Sequence, residues 1–300
     1  MASSKLVPSN PSDVMVIRDV TPNVVTLSVP FLRYGFLAIG GRATVVRLSS
    51  GALAVFSPVA LTSEVKAKLA AMGGELRYIV ALDIEHHIFI SQWAREFPGA
   101  RIVGPEGLPE KRAKAAADGV DPMIGAEPFA VVFKAEDKKR QPREGPVVSD
   151  EFDADFASEF VDSHRNKELA FCYRPDRVLI EADLMFNLPA TEQYSRVPEE
   201  ARPKDGPVKR IAANAMSTAG DAMAAKRFIW HVASRADRAG FNESVRRIAA
   251  WDFSTIVPCH GETIVGDGKE VFRKVFQWHL EGEEGKKNHE PPTLNVNSPD

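Results

Sequence analysis

The chain has 300 residues, 38 Lys plus Arg against 41 Asp plus Glu, a formal net charge of −3 and 44% hydrophobic residues. That is the composition of a globular protein long enough to bury a sizeable core, and its near-neutral balance excludes a dedicated nucleic-acid binder, which carries a basic domain. No apolar run nears the roughly 18 residues of a membrane span, the start lacks the apolar stretch of a secretory signal, and two cysteines, Cys172 and Cys259, are too few for a disulfide scaffold. The expectation is a cytoplasmic protein.

Residues 1–13, rich in Ser, Pro and Asn, read as a flexible arm ahead of one domain over 14–280. Val24–Val29, Ala43–Leu48 and Ala52–Phe56 are β-branched or apolar runs separated by Gly40-Gly41 and Ser49-Ser50-Gly51, and read as strands. Thr62–Met72 reads as a helix, with Ser63 as its N-cap and Gly73-Gly74 as its stop. Tyr78–Leu82 is a buried strand that ends in Asp83-Ile84-Glu85-His86-His87, and a helix follows through Trp93 and Phe97. Arg101–Val103 is a further strand and Pro109–Ala117 a surface helix; Lys138–Arg143 and Asp150-Glu151 read as a solvated, charged loop.

Strands resume at Phe156–Val161, Leu169–Tyr173 and Arg177–Ile180, followed by an irregular segment, 189–207. Helices are expected near Ala222–Arg238 and Glu243–Trp251, a last strand at Phe253–Val257, a last helix at Lys269–His279, and a disordered tail over 281–300. Two β-rich stretches, each closed by helices, predict an α/β fold of four layers, an αββα sandwich.

Four polar clusters fall where predicted strands end: Asp83, Glu85, His86 and His87; then His164; then Asp183; then His260 in Val257-Pro258-Cys259-His260-Gly261. Loops at strand ends are held by a rigid sheet yet stay open to ligand, and imidazoles and carboxylates converging there suit a divalent metal. Singly, each of these residues is as well read as a satisfied structural side chain. His86 and His87, as neighbours, point in different directions and need not act together. Cys259 reads mainly as a buried core residue.

In order and spacing, these clusters resemble the metallo-β-lactamase-fold superfamily. Its members carry H-x-H-x-D-H after a strand, then a His, an Asp about nineteen residues on, and a late His followed by Gly. Here His164 and Asp183 are nineteen apart, with the turn Arg174-Pro175-Asp176 between two strands, and Pro258-Cys259-His260-Gly261 matches the late His. The signature itself departs, reading Asp83-Ile84-Glu85-His86-His87, one residue shorter. The resemblance implies the αββα fold and two metal sites: Asp83, Glu85 and His164 at one, His86, His87 and His260 at the other, with Asp183 bridging. The alternative is a single metal at His86 or His87, Asp183 and His260. Zinc is the first expectation; carboxylates in place of imidazoles shift the balance towards iron or manganese.

The expected function is a metal-dependent hydrolase using activated water on a small-molecule ester, lactone or thioester. In that scheme Asp183 places the water, Asp83 shuttles a proton, and Tyr194 reaches an oxyanion. Arg196, Arg202 and Lys204 are candidates to meet an acidic substrate. Two alternatives stand beside it: an iron- or manganese-dependent oxidoreductase of the same fold, and a metal-free binding protein with a relic site. Neither nucleic acid nor membrane is an expected partner.

Overall fold

The computed structural model describes residues 10–282 apart from 120, 140–145, 204 and 205. Residues 1–9, most of the basic stretch Lys138–Arg143, Lys204 and the tail 283–300 lie outside the described residues.

Two sheets face each other. The first has seven strands whose order in space is their order in the chain: Val16–Asp19, Val24–Val29, Gly41–Arg47, Leu53–Phe56, Leu76–Val80, Arg101–Pro105 and Val131–Phe133. Pairing is antiparallel as far as Leu53–Phe56 and parallel beyond it. The second has five, in the order Phe156–Val161, Glu168–Tyr173, Val178–Glu181, Thr255–Pro258 and Ile264–Val265. Within it Val178–Glu181 and Thr255–Pro258 run parallel, so the loops that follow them leave from the same end.

Alternation along the strands divides the core into three layers, because successive side chains leave opposite faces of a sheet. Val46, Tyr78, Val80, Phe171, Val178 and Ile180 pack between the sheets. Their neighbours Val45 and Ile79 turn outward onto a cluster that includes Val65, Leu69 and Trp93 of the flanking helices. On the far side Ala170, Cys172 and Leu179 pack with Phe241, Ile248 and Phe272. Helix, sheet, sheet, helix is therefore the observed layering, as the sequence predicts.

Several elements differ locally from expectation. Thr62, not Ser63, caps the helix Ser63–Met72, its hydroxyl accepting from Val65 N–H. Asp150-Glu151, expected as loop, opens a helix, Asp150–Asp155, capped by Ser149, and its three acidic residues in the first turn favour the positive end of the helix dipole. The helix expected over Ala222–Arg238 is Met223–Phe228 continued by a π-helical turn Ile229–Ala233, and the helix expected over Glu243–Trp251 starts earlier, as Arg238–Ala250. A hairpin of Leu32–Arg33 and Leu37–Ala38, which periodicity does not reveal, carries the exposed Tyr34 and Phe36. No described helix is long and apolar enough to cross a membrane.

Candidate metal centre

Three loops at the ends of Leu76–Val80, Val178–Glu181 and Thr255–Pro258 bring His86, Asp183 and His260 together, with one ligand atom from each within 4.8 Å of the other two. Each ring has a fixed tautomer. His260 Nδ1 lies 2.7 Å from the Gly40 carbonyl oxygen, which can only accept, so Nδ1 carries the proton. His86 Nδ1 sits 2.9 and 3.0 Å from the two Asp83 oxygens and carries its proton for the same reason. In the neutral rings both Nε2 atoms are then bare lone pairs, and they face each other at 3.0 Å. Asp183 Oδ1, buried and accepting no hydrogen bond of good geometry, lies 3.2 Å from His260 Nε2.

Two lone pairs and a carboxylate oxygen converging in a buried space repel unless a cation sits among them. A proton does this in part: burial lowers the pKa of His86, but the charges of Asp83 and Asp183 outweigh it and lift it to about 9. Burial raises that of Asp183, and His86 and His260 more than reverse the effect, holding the carboxyl below its usual range. The same donor set, two imidazole nitrogens and one carboxylate oxygen, suits Zn²⁺ or Fe²⁺. The residues fit a divalent cation.

The surroundings fix these three side chains. Asp83, fully buried, accepts the backbone N–H groups of Glu85 and His86 at 2.8 and 2.7 Å as well as the His86 ring. Asn166 donates to Asp183 Oδ2. The His260 ring is stacked against Phe186, with centroids 5.2 Å apart and planes 6° from parallel. Arg42, 2% exposed, donates to the carbonyls of Pro258 and Gly261, both at 2.7 Å, which bracket Cys259 and His260. Gly261 has φ of +85°, and a Cβ there would lie 2.1 Å from the Asn187 carbonyl oxygen, so only glycine lets this loop pass beside the Asp183 loop. Glu168 accepts the N–H groups of Ala182 and Asp183, and burial together with the charge of Asp83 pushes its carboxyl well above the usual range.

Of the other expected ligands, Asp83, Glu85 and His87 are engaged by other partners, and His164 faces the cavity of Asp183 and His260. Asp83, expected as a ligand and a proton shuttle, is engaged by the His86 ring and by the N–H groups of Glu85 and His86. Glu85 points to Lys111 Nζ at 2.9 Å, with Arg33 NH1 at 3.6 Å. His87 is drawn the opposite way from His86: Arg112 donates to its carbonyl at 2.6 Å and lies 3.2 Å from its Nδ1. Burial and the charges of Lys111 and Arg112 press its pKa down to about 3. His164 lines the same cavity as Asp183 and His260, but its Nδ1 accepts from Asn166 N–H at 3.3 Å, which leaves the ring proton on Nε2. Burial also lowers its pKa, so the ring is neutral and offers a donor. The two-site arrangement is thus not assembled among the described residues, whereas the single group of His86, Asp183 and His260 is.

Tyr194, expected to reach an oxyanion, lies in the cluster with Leu32, Ile39 and Leu188. Its buried hydroxyl donates to the Phe31 carbonyl at 2.8 Å, and this occupies the proton an oxyanion would require. Cys259 is buried between the sheets, where desolvation pushes its thiol well above the usual range. Arg196 and Arg202 are tied to the carbonyls of Met15 and Val197.

A cavity of about 270 Å³ opens beside the group, walled by Leu37, Ile39, Phe186, Met216, Phe228 and Val232. A smaller one, about 70 Å³, is lined by His86, His87 and His260, and Arg33 and His260 border both. Sequence reasoning passes over Arg33, Arg42 and Glu168; only the pairing of Gly40-Gly41 with the strand beside it hints that this turn meets the site.

The family model described as Domain of unknown function (DUF4336) matches residues 35–231. No curated protein matches the sequence. Among solved structures, the metal-soaked Flv1 flavodiiron core from Synechocystis sp. PCC6803 is similar at 11% identity and a TM-score of 0.57, covering 88% of this chain and 60% of that one. A metallo-β-lactamase from Erythrobacter litoralis, with β-mercaptoethanol in its active site, is similar at 12% identity and a TM-score of 0.53, covering 90% and 97%. One from Hirschia baltica gives 10% identity and a TM-score of 0.50 over 88% and 97%. At such identities the likeness concerns the fold, and the fold is that of the metallo-β-lactamases.

Proposed function

The chain belongs to the DUF4336 family, and we propose that it is a hydrolase of small esters, lactones or thioesters that works with one divalent cation held by His86, Asp183 and His260. The observation that carries this reading is the convergence of three ligand atoms: His86 Nε2 and His260 Nε2 lie 3.0 Å apart, and Asp183 Oδ1 lies 3.2 Å from His260 Nε2. A divalent cation at such a position lowers the pKa of water towards neutrality and polarises a carbonyl oxygen.

The chain's own residues supply the rest. Asp83 and the Gly40 carbonyl hold the two rings in the tautomer that presents Nε2, and Asn166 holds Asp183 by its other oxygen. The apolar walls of the larger cavity receive the acyl body and keep bulk water from the reacting carbonyl. His164, neutral and protonated on Nε2, supplies a hydrogen-bond donor in that cavity for the oxygen on which charge develops.

One observation favours a second reading. Two histidines and one carboxylate are also the donor set of non-haem iron sites that react with O₂. The two readings part in one experiment, in which zinc-loaded and iron-loaded protein are each offered nitrophenyl esters, lactones and thioesters. We expect zinc-dependent turnover that Asp183→Ala abolishes. Turnover in neither form, or turnover that survives Asp183→Ala, would contradict the hydrolase; O₂ consumption by the iron form alone, with ascorbate supplied as reductant, would favour the oxidoreductase.

A further inference from the structure

The cavity beside the metal group has two features that together specify a substrate more closely than its reaction does. Its walls are apolar, but two guanidiniums, Arg33 and Arg165, also border it. Arg165 is exposed and makes no hydrogen bond or ion pair among the described residues. Arg33 packs over the Tyr34 ring, 5.2 Å from its centroid, and faces Glu85 Oε2 at 3.6 Å, too far for a hydrogen bond. Glu85 is already engaged by Lys111 Nζ at 2.9 Å, which also donates to the Ile84 carbonyl. Two cations therefore share one carboxylate at this edge, and Arg165 adds a third positive charge.

Of the acidic groups deeper in the site, Asp183 acts on Arg33 by its charge, but neither Asp83 nor Asp183 hydrogen-bonds to either guanidinium. Asp83 is spent on the His86 ring and two backbone N–H groups, and Asp183 on Asn166 and the His86–His260 group. A planar guanidinium with free donors matches a carboxylate in bidentate fashion, and it does so better than a lysine would. Arg196 and Arg202, which composition alone suggests for this task, have their donors committed to backbone carbonyls.

We infer that the cavity binds a small amphiphile with an apolar body and a free carboxylate, the body lying against Leu37, Ile39, Phe186 and Phe228 and the carboxylate held at the rim by Arg33 and Arg165. This rests on the reading of the cavity as the substrate pocket, and it narrows the substrate to an ester, lactone or thioester that carries a carboxylate away from the reacting carbonyl. In this account Arg33 and Arg165 determine specificity.

The test is calorimetric titration of the full-length chain, stripped of divalent metal by chelation, with octanoate and with octanamide. The two probes share an apolar body and differ in charge. Octanoate should bind about tenfold tighter or more, the worth of one charge-assisted contact. In the double variant Arg33→Gln, Arg165→Gln the two probes should bind alike, with octanamide affinity unchanged as the sign that the cavity is intact. Equal binding to the unmodified chain overturns the inference, as does an octanoate preference that survives in the double variant. Binding of neither probe overturns the assignment of the apolar walls as well. Since no metal is present, any of these failures leaves the metal centre to its own test. Conversely, a carboxylate preference in a chain that takes up no metal would mark a binding protein for such amphiphiles and contradict the hydrolase alone.

Discussion

Replacing Arg42 with Met keeps the apolar stem of the side chain but removes all its donors. In the intact chain Nε donates to Ser28 Oγ at 2.9 Å, NH1 to the Pro258 and Gly261 carbonyls at 2.7 Å each, and NH2 meets Glu192 Oε1 at 3.2 Å. Glu192 keeps Arg18 as a partner, so the variant does not strand its charge entirely. Two buried carbonyls are left without a donor, at about 1–3 kcal/mol each, and a buried ion pair broken from one side costs about 3–5 kcal/mol. These are overlapping measures of one loss, and a destabilisation of about 3–5 kcal/mol is expected in urea unfolding of chelator-treated protein. The second consequence is local. The two carbonyls bracket His260, so its loop loosens, and zinc affinity measured against a chromophoric chelator should fall about 10–100-fold. Arg42→Lys should fall between the two, since a single ammonium cannot span all four partners. A loss below about 1 kcal/mol with unchanged zinc affinity would refute the reasoning. Lost stability with full affinity would show that Arg42 supports the fold and leaves His260 unaffected.

Two further outcomes follow from the same geometry. Asp83→Asn retains an oxygen for the Glu85 and His86 N–H groups but weakens the hold on the His86 ring, so zinc affinity should fall about 10–100-fold with little change in melting temperature; an unchanged affinity would remove Asp83 from the support of the site. His279 is buried, and burial together with the nearby Arg238 presses its pKa to about 3. Between that value and the ordinary value of about 6.5 the unfolded chain binds the extra proton, so stability is lost as pH falls below about 6.5. Measured with chelator present, His279→Gln should keep about 2 kcal/mol more of its neutral-pH stability at pH 5 than the unmodified chain, and parallel pH curves for the two would contradict the assignment.

Much of the fold is legible in the sequence because alternation is a local property. Val45 and Val46, or Leu179 and Ile180, must leave opposite faces of their sheets, and runs of such pairs at regular intervals define two sheets with helices outside. The positions of His164, Asp183 and His260 are legible too, as polar residues at strand ends with a spacing of nineteen between the first two. What the sequence leaves open is orientation within the loops. That His86 turns in while His87 turns away depends on Asp83 folding back to accept two N–H groups and on Arg112, twenty-five positions further on, drawing His87 to the other side. Glu85 has a ligand's chemistry, but Lys111 from the helix Leu108–Asp118 captures it. Arg42 carries no local signal at all, because its partners Pro258 and Gly261 are 216 and 219 residues away. Contacts of that range are set by the packing of the two sheets, which a strand pattern does not encode.

The central claim is that His86, Asp183 and His260 form one divalent-metal site, and the most direct test is metal stoichiometry. The full-length chain, expressed without a metal-binding tag and equilibrated with zinc, is passed through a desalting column and analysed by plasma mass spectrometry beside His86→Ala, Asp183→Ala and His260→Ala. The account predicts about one zinc per chain in the unmodified protein and its loss from each of the three folded variants. No zinc in the unmodified protein, or full retention in the variants, would contradict it.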